Sequence, residues 1–405
     1  MLKICKIYVS VILIFILPGC WNRIELNEIG ITSATGFDRD GNDWLATYQV
    51  IVPSSITSNT GGGSGTSQPA INVFSVKGST ISEAANLSNL DNPRRLYLAH
   101  NNVVIIGKEA MDKGISQLID TYLRNTESRE TVWLLLTDKK ADSILRKLIP
   151  PEKVPGSSIS QMLTKEKRIS SIFPPVTVFD YAYKMNSDAK AIGIPMITLA
   201  GAESSENEKM LESLDIYKEV SPPLKIRISE LAIIQNDRLV GFMNQHESRG
   251  LSWLTNRVNG TVLSLSSSEH KSKQNISLTV LRSKTRLQLV KQGYHYIMNV
   301  RVNTKANISE SGSKLNSSQV TAVKQIENQA AKQIGDEIRA SWEVMQQLGA
   351  DLGGFADILH REYPKDWRGL EKNWGREFKN VDLNIQVNVT IKRPGMFQNS
   401  FRNLE

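Results

Sequence analysis

Five histidines, His100, His246, His270, His295 and His360, are the chain's readiest acid–base and metal-binding groups, and their spacing assembles neither function. No two stand four apart as HExxH, the arrangement that sets two imidazoles and a general-base carboxylate on one helical face. The G-x-S-x-G elbow and the dinucleotide-binding glycine fingerprint are also missing. His100, in "YLAHNNVVIIG", is read as a hydrogen-bonded residue capping a buried strand. Asp351, in "QLGADLGGFADIL", falls among glycines where a long helix should stop, and reads as a cap or turn residue. Trp367 and Trp374 are seven apart and could share a helical face, which points to packing.

Of the two cysteines, Cys5 and Cys20, the second sits in "FILPGCWNRI" (15–24). Lys3 and Lys6 precede an uncharged apolar run from Ile7 to Leu17, the basic and apolar regions of an export signal. The run is too short for the roughly 20 residues that cross a bilayer. Pro18 and Gly19 then break it. Leu17, Pro18 and Gly19 before Cys20 resemble the bacterial lipobox, with proline at the middle position as a departure. On that reading residues 1–19 are removed and the Cys20 thiol carries a diacylglyceryl group, whose two chains give stable anchoring. No cysteine pair would remain for a disulfide, and no further thiol for zinc or nucleophilic catalysis.

The elements that would position these residues change character along the chain. Two strand-like runs flank Asp40-Gly41, a tight hairpin signal. Residues 54–70 are rich in Gly, Ser and Thr and read as a loop; without a Lys-Ser/Thr pair they make no phosphate-binding loop. A strand over 71–77 leads to a helix over 79–90 with Glu83 placed for a capping box. Strands at Val103–Ile106 and Trp133–Leu136 alternate with helical stretches, a layered pattern with strands buried on both faces. After the prolines at 150–155 and 174–175, "VTVFDYAYKM" predicts one more helix.

Residues 201–223 are polar and end in Pro-Pro, and the main boundary is placed there. Beyond it, Asn236-Asp237 predicts a hairpin, Trp253 and Leu254 a short helical stretch, and 276–281, 285–289 and 294–302 three strands. Apolar residues three or four apart predict a long amphipathic helix over 318–348. Strict alternation over 381–392 predicts a half-buried strand that the helix would cover. The fold class is α+β, a mixed α/β chain with mostly antiparallel or mixed sheets. The expected organisation is a signal (1–19), an N-terminal α/β region (20–200, with a division near 140–175 left open), a linker (201–223), a C-terminal α/β region (224–395, with a division near 300 left open) and a tail (396–405).

With 405 residues, 40% hydrophobic and 22% charged, the chain suits two or three globular domains. Its formal charge of +8 loses two units with Lys3 and Lys6, leaving a basic chain suited to anionic lipid headgroups or acidic wall polymers. The basic residues look scattered, without the compact stripe or reading motif of a nucleic-acid binder.

Four blocks in order resemble the Ger(x)C family, the C-subunit lipoproteins of spore germinant receptors. They are "GCWNRIELNEIGI", "RRLYLAHNNVVIIG" (94–107), "ELAIIQNDRLVGFMNQHESRGLSWL" (230–254) and "LGADLGGFADILHREYPKDWRGLEKNWGREF" (348–378), the most specific. Asn22 stands where the family usually has Asp, and Ile24 separates Arg23 from Glu25. The resemblance implies a mixed α/β fold of three sheet-and-helix domains, no cofactor and no enzymatic activity. It further implies a lipid anchor at Cys20 on the outer face of the spore's inner membrane, and two integral-membrane partners, an A-type and a B-type receptor subunit. Candidate partner-contact positions carried over from the blocks are Arg23, Glu25, Asp351, Phe355, Trp367 and Trp374. Two rival readings are a substrate-binding lipoprotein of an importer, which needs two similar lobes around a cleft, and a wall hydrolase, which needs a carboxylate pair or zinc motif.

Overall fold

The structure, a computed structural model, describes residues 28–57, 68–266, 274–293, 295–311 and 319–393. Strands β1 (Ile29–Asp40) and β2 (Asp43–Ile51) pair antiparallel around Gly41, whose φ of +65° supplies the left-handed turn. On one side β3 (Ile71–Gly78) extends the sheet from β2. On the other, β5 (Val103–Ile106) joins β1 in parallel and β6 (Trp133–Leu136) joins β5. Helices Lys108–Lys113 and Ser116–Arg124 make the crossover between them. Val104, Ile106, Leu134 and Leu136 enter one core, while Val103, Ile105 and Leu135 enter another across the sheet. Their unbroken apolar sequence is what a strand covered on both faces requires. The short strands β4 (Arg95–Tyr97) and β7 (Val176–Thr177) flank β1 and β6.

Residues Pro53–Thr57, which overlap the start of the expected Gly/Ser-rich loop at 54–57, form a short helix, and 58–67 lie outside the described residues. The predicted helix spans Ile81–Asp91 with Thr80 as its cap. Glu83 closes one residue further back than expected, accepting the Ser79 N–H at 2.8 Å.

The strands on either side of the expected boundary pair with each other. β8 (Ala191–Gly201) and β9 (Leu224–Gln235), on either side of 201–223, pair antiparallel from Ala191–Gln235 to Gly201–Leu224. β10 (Arg238–Met243) then folds back on β9 through Asn236 and Asp237, both left-handed. Residues 201–223 are therefore a connection within one group of strands. They carry helix Ser205–Met210 and are clamped by Lys147, 1% exposed, which binds Glu212 at 2.7 Å, and by Lys139, 2.9 Å from Glu208. Their acids and prolines look like a solvated linker because the lysines that bind them come much earlier in the chain. β8 touches β6 through one pair, Leu136 with Met196, so the ten-stranded sheet has a narrow waist.

The second sheet runs in the order β11 (Thr261–Ser266), β12 (Gln274–Gln292), β13 (His295–Ser311), β14 (Asp382–Arg393). The two strands expected within 276–289 are one strand, β12, with a register shift between Val280 and Arg282. β14 joins β13 in parallel, and such a connection needs a crossover, here the helix Val320–Leu348. That helix buries Ile326, Ala330, Ile334, Ile338, Trp342 and Met345 against the sheet, while Val320 is exposed. It ends at Gly349 with φ +67°, a conformation that costs glycine little.

Candidate functional site

Cys20, with Leu17, Pro18, Gly19, Arg23 and Glu25, lies outside the described residues. The remaining candidates, Asp351, Phe355, Trp367 and Trp374, come together, but in the interior: they are 0, 0, 2 and 6% exposed. The expectation that they form a partner-contact surface is corrected by this burial. Asp351 accepts the Phe355 N–H at 2.9 Å and the Ala356 N–H at 2.7 Å, capping helix Phe355–Glu362, and takes the Trp374 indole N–H at 3.0 Å. Burial pushes its carboxyl up, against the pull of those donors and of the Lys184 charge. The Trp374 ring meets Trp367 edge-on at 5.6 Å, though a 3₁₀ turn at Glu371–Asn373 separates their helices. Trp342 packs edge-on against both Phe355 (5.0 Å) and Phe378 (5.2 Å). The cluster pins the 349–380 segment beneath the second sheet, which is a packing role.

Two more aspartates act in the same way. Asp38, 3% exposed, accepts the Ala141 and Asp142 N–H groups at 2.8 and 3.0 Å, and burial raises its pKa above the ordinary carboxylate value. Asp237, at the β9–β10 turn, accepts the Ile115 N–H at 2.7 Å and the Tyr181 hydroxyl at 2.6 Å. Each carboxylate holds a helix start, across long sequence separations. His360 Nδ1 stands 2.8 Å from Asp188 Oδ2 and ties the last helices to the first sheet. His100 is exposed in a 3₁₀ turn, Leu98–His100, ahead of the strand it was expected to cap. Among the described residues no three His, Cys, Asp or Glu side chains converge as metal ligands would.

The sequence reading missed one buried ionic site. Glu337, on the long helix and fully buried, forms a bidentate pair with Arg249, whose Nε donates at 2.8 Å. The Trp253 indole N–H donates to the same carboxylate at 2.8 Å. Arg249 and Trp253 are four apart on helix Gln245–Leu254, a spacing that could have marked their shared face.

Two adjoining cavities, about 250 and 270 Å³, open between the first sheet and the second. Pro174, Asn256 and Arg257 line both, with Lys184 in the first and Lys167 in the second. Their walls come from units of unlike topology, so the two-lobed cleft of an importer's binding protein is not what they form. None of this supplies a nucleophile with its base or two facing carboxylates.

The arrangement defines a two-part α+β protein whose buried polar groups serve architecture, and the comparisons assign its class. Residues 22–199 match the spore germination protein N-terminal domain, and residues 229–395 match the spore germination B3/GerAC-like C-terminal domain. The chain belongs to the Ger(x)C family, the C subunits of germinant receptors. Spore germination protein KC of Bacillus subtilis (strain 168) is 26% identical over 409 residues, spanning 99% of this chain and 98% of that one. Spore germination protein B3 of the same organism is 21% identical, spanning 95% and 96%. The crystal structure of the GerBC protein aligns with TM-score 0.54 at 16% identity, covering 89% of this chain and 97% of that one, a likeness of fold. Among the described residues no helix is long and apolar enough to cross a membrane.

Proposed function

We propose that the chain is the lipid-anchored, non-catalytic C subunit of a receptor for small nutrient germinants. It is held by acylated Cys20 on the outer face of the spore's inner membrane and works with an A-type and a B-type integral-membrane subunit. The observation that carries this reading is the pair of germination-domain matches, one on each half of the chain. The use of Asp38, Asp237 and Asp351 as helix caps supports a non-catalytic role. Eight residues lie between Cys20 and the start of β1, a tether that spans at most about 30 Å. Such a tether confines the folded body to a thin layer above the bilayer and raises its effective concentration near membrane partners.

The test is germination of spores lacking this gene, in a strain whose other receptors have been removed, against amino acids, sugars and nucleosides, read as loss of optical density. Loss of response to one nutrient class, restored by the wild-type gene, supports the reading. Unchanged responses to every nutrient contradict it.

A further inference from the structure

We propose that the outer face of the four-stranded sheet docks on an anionic lipid surface. Alternation along β12 turns Arg282, Lys284 and Arg286 to the side opposite the long helix, and all three are exposed. The β12–β13 register sets Lys305 opposite Arg282 and Arg301 opposite Arg286. Cations that look scattered in the linear sequence thus share one face, which corrects the expectation of no compact basic patch.

Like charges directly opposite on paired strands destabilise a sheet. This sheet carries two such pairs, and among the described residues none of the five cations makes an ion pair with a carboxylate. Between and beside them the surface is amide: Arg301 Nε donates to Gln386 Oε1 at 3.1 Å, and Asn388 donates to Asn303 at 3.2 Å. The acids Asp382 and Glu310 sit at opposite ends of β13's span. A repulsive array without internal counter-charge is stabilised by an external polyanion, which screens both pairs at once. The other side of the sheet is the core under the long helix, so this side is left open. Val262 and Leu281, each 49% exposed, flank it and suit shallow contact with the headgroup layer. Cations gathered on one exposed face match the dense negative charge of an anionic bilayer surface, and the inference rests on the anchored reading, which keeps a bilayer within reach.

The test uses the mature chain from residue 20 with Cys20→Ala, which cannot be acylated, sedimented with vesicles. Binding is expected to equal mixtures of phosphatidylglycerol and phosphatidylcholine, but not to phosphatidylcholine alone, and to fall as salt shortens the screening length. Arg286→Gln with Lys305→Gln removes one member of each like-charged pair. That variant should bind about 30-fold more weakly and melt at a higher temperature, a gain that also shows it folds. The control, Lys209→Gln with Lys225→Gln, takes two exposed cations from elsewhere and should bind as the parent does. Equal binding by the two double variants, or equal binding to neutral vesicles, overturns the proposal. So does retention by a soluble anionic wall polymer but not by vesicles. Failure here leaves anchorage standing, because acylation of Cys20 is read separately by fractionation of the wild-type chain.

Discussion

Gly250 lies so close to Glu337 that a Cβ at position 250 would stand 1.9 Å from the Glu337 carbonyl oxygen. Helix Gln245–Leu254 therefore packs on the long helix through a gap that only glycine leaves open. Gly250→Ala should force the helices apart and cost about 3 kcal/mol, read as a lower urea midpoint. Gly335→Ala, on the same long helix but facing open space, should gain roughly 0.5–1 kcal/mol. Similar midpoints for the two variants would contradict this packing.

Arg249 and Glu337 test the same contact from its charge. Arg249→Met leaves a fully buried carboxylate with only neutral donors and should cost about 3–5 kcal/mol. Replacing both, Arg249→Met with Glu337→Leu, should recover much of that loss, because no uncompensated charge remains. A double variant as unstable as the single would show that shape, not charge, governs the contact.

The hairpins at Asp40-Gly41 and Asn236-Asp237, the long helix and the last strand were legible because each signal is local: a turn dipeptide or a sustained period. The β8–β9 pairing across 201–223 was not, since a polar run ending in Pro-Pro reads as a linker unless Lys139 and Lys147 are known to reach it. The break expected inside β12 has a related cause: Arg282, Ser283 and Lys284 look like a turn when two of the three simply face outward. Strand β11 was missed although Thr261, Leu263 and Leu265 alternate into the core. Asp351 was correctly read as a cap, yet as a partner contact it failed, because aromatic spacing cannot distinguish an interface from an interior.

Asp351→Ala should release helix Phe355–Glu362 and leave the Trp374 N–H unpaired, at a cost of about 2–4 kcal/mol. Trp374→Phe, which removes one donor and leaves a smaller aromatic ring in its place, should cost about 1 kcal/mol for the hydrogen bond and about 1 kcal/mol more for the packing lost with the indole. Urea unfolding followed by tryptophan fluorescence would measure both. Equal losses would mean that the indole hydrogen bond, and not the cap, dominates.

The clamp on 201–223 is expected to weaken in acid. The hydrogen bond from Lys139, with its charge, holds the Glu208 carboxyl below its ordinary value of 4.5. Stability from this link is therefore fully present above that value and is lost as the pH falls through the lower folded-state pKa. The advantage of wild type over Glu208→Gln should shrink over that range and be constant at neutral pH. An advantage unchanged by acid would show that the pair adds nothing to folding.

Cys20→Ala at the native locus tests the central claim most directly. Spores carrying it would be fractionated and immunoblotted for the chain, and their germination followed with a nutrient to which wild-type spores respond. The account predicts that the wild-type chain is found with the inner membrane, that the variant is found largely in the soluble fraction, and that its germination is weakened or lost. A variant that stays with the membrane and germinates as wild type does would contradict it.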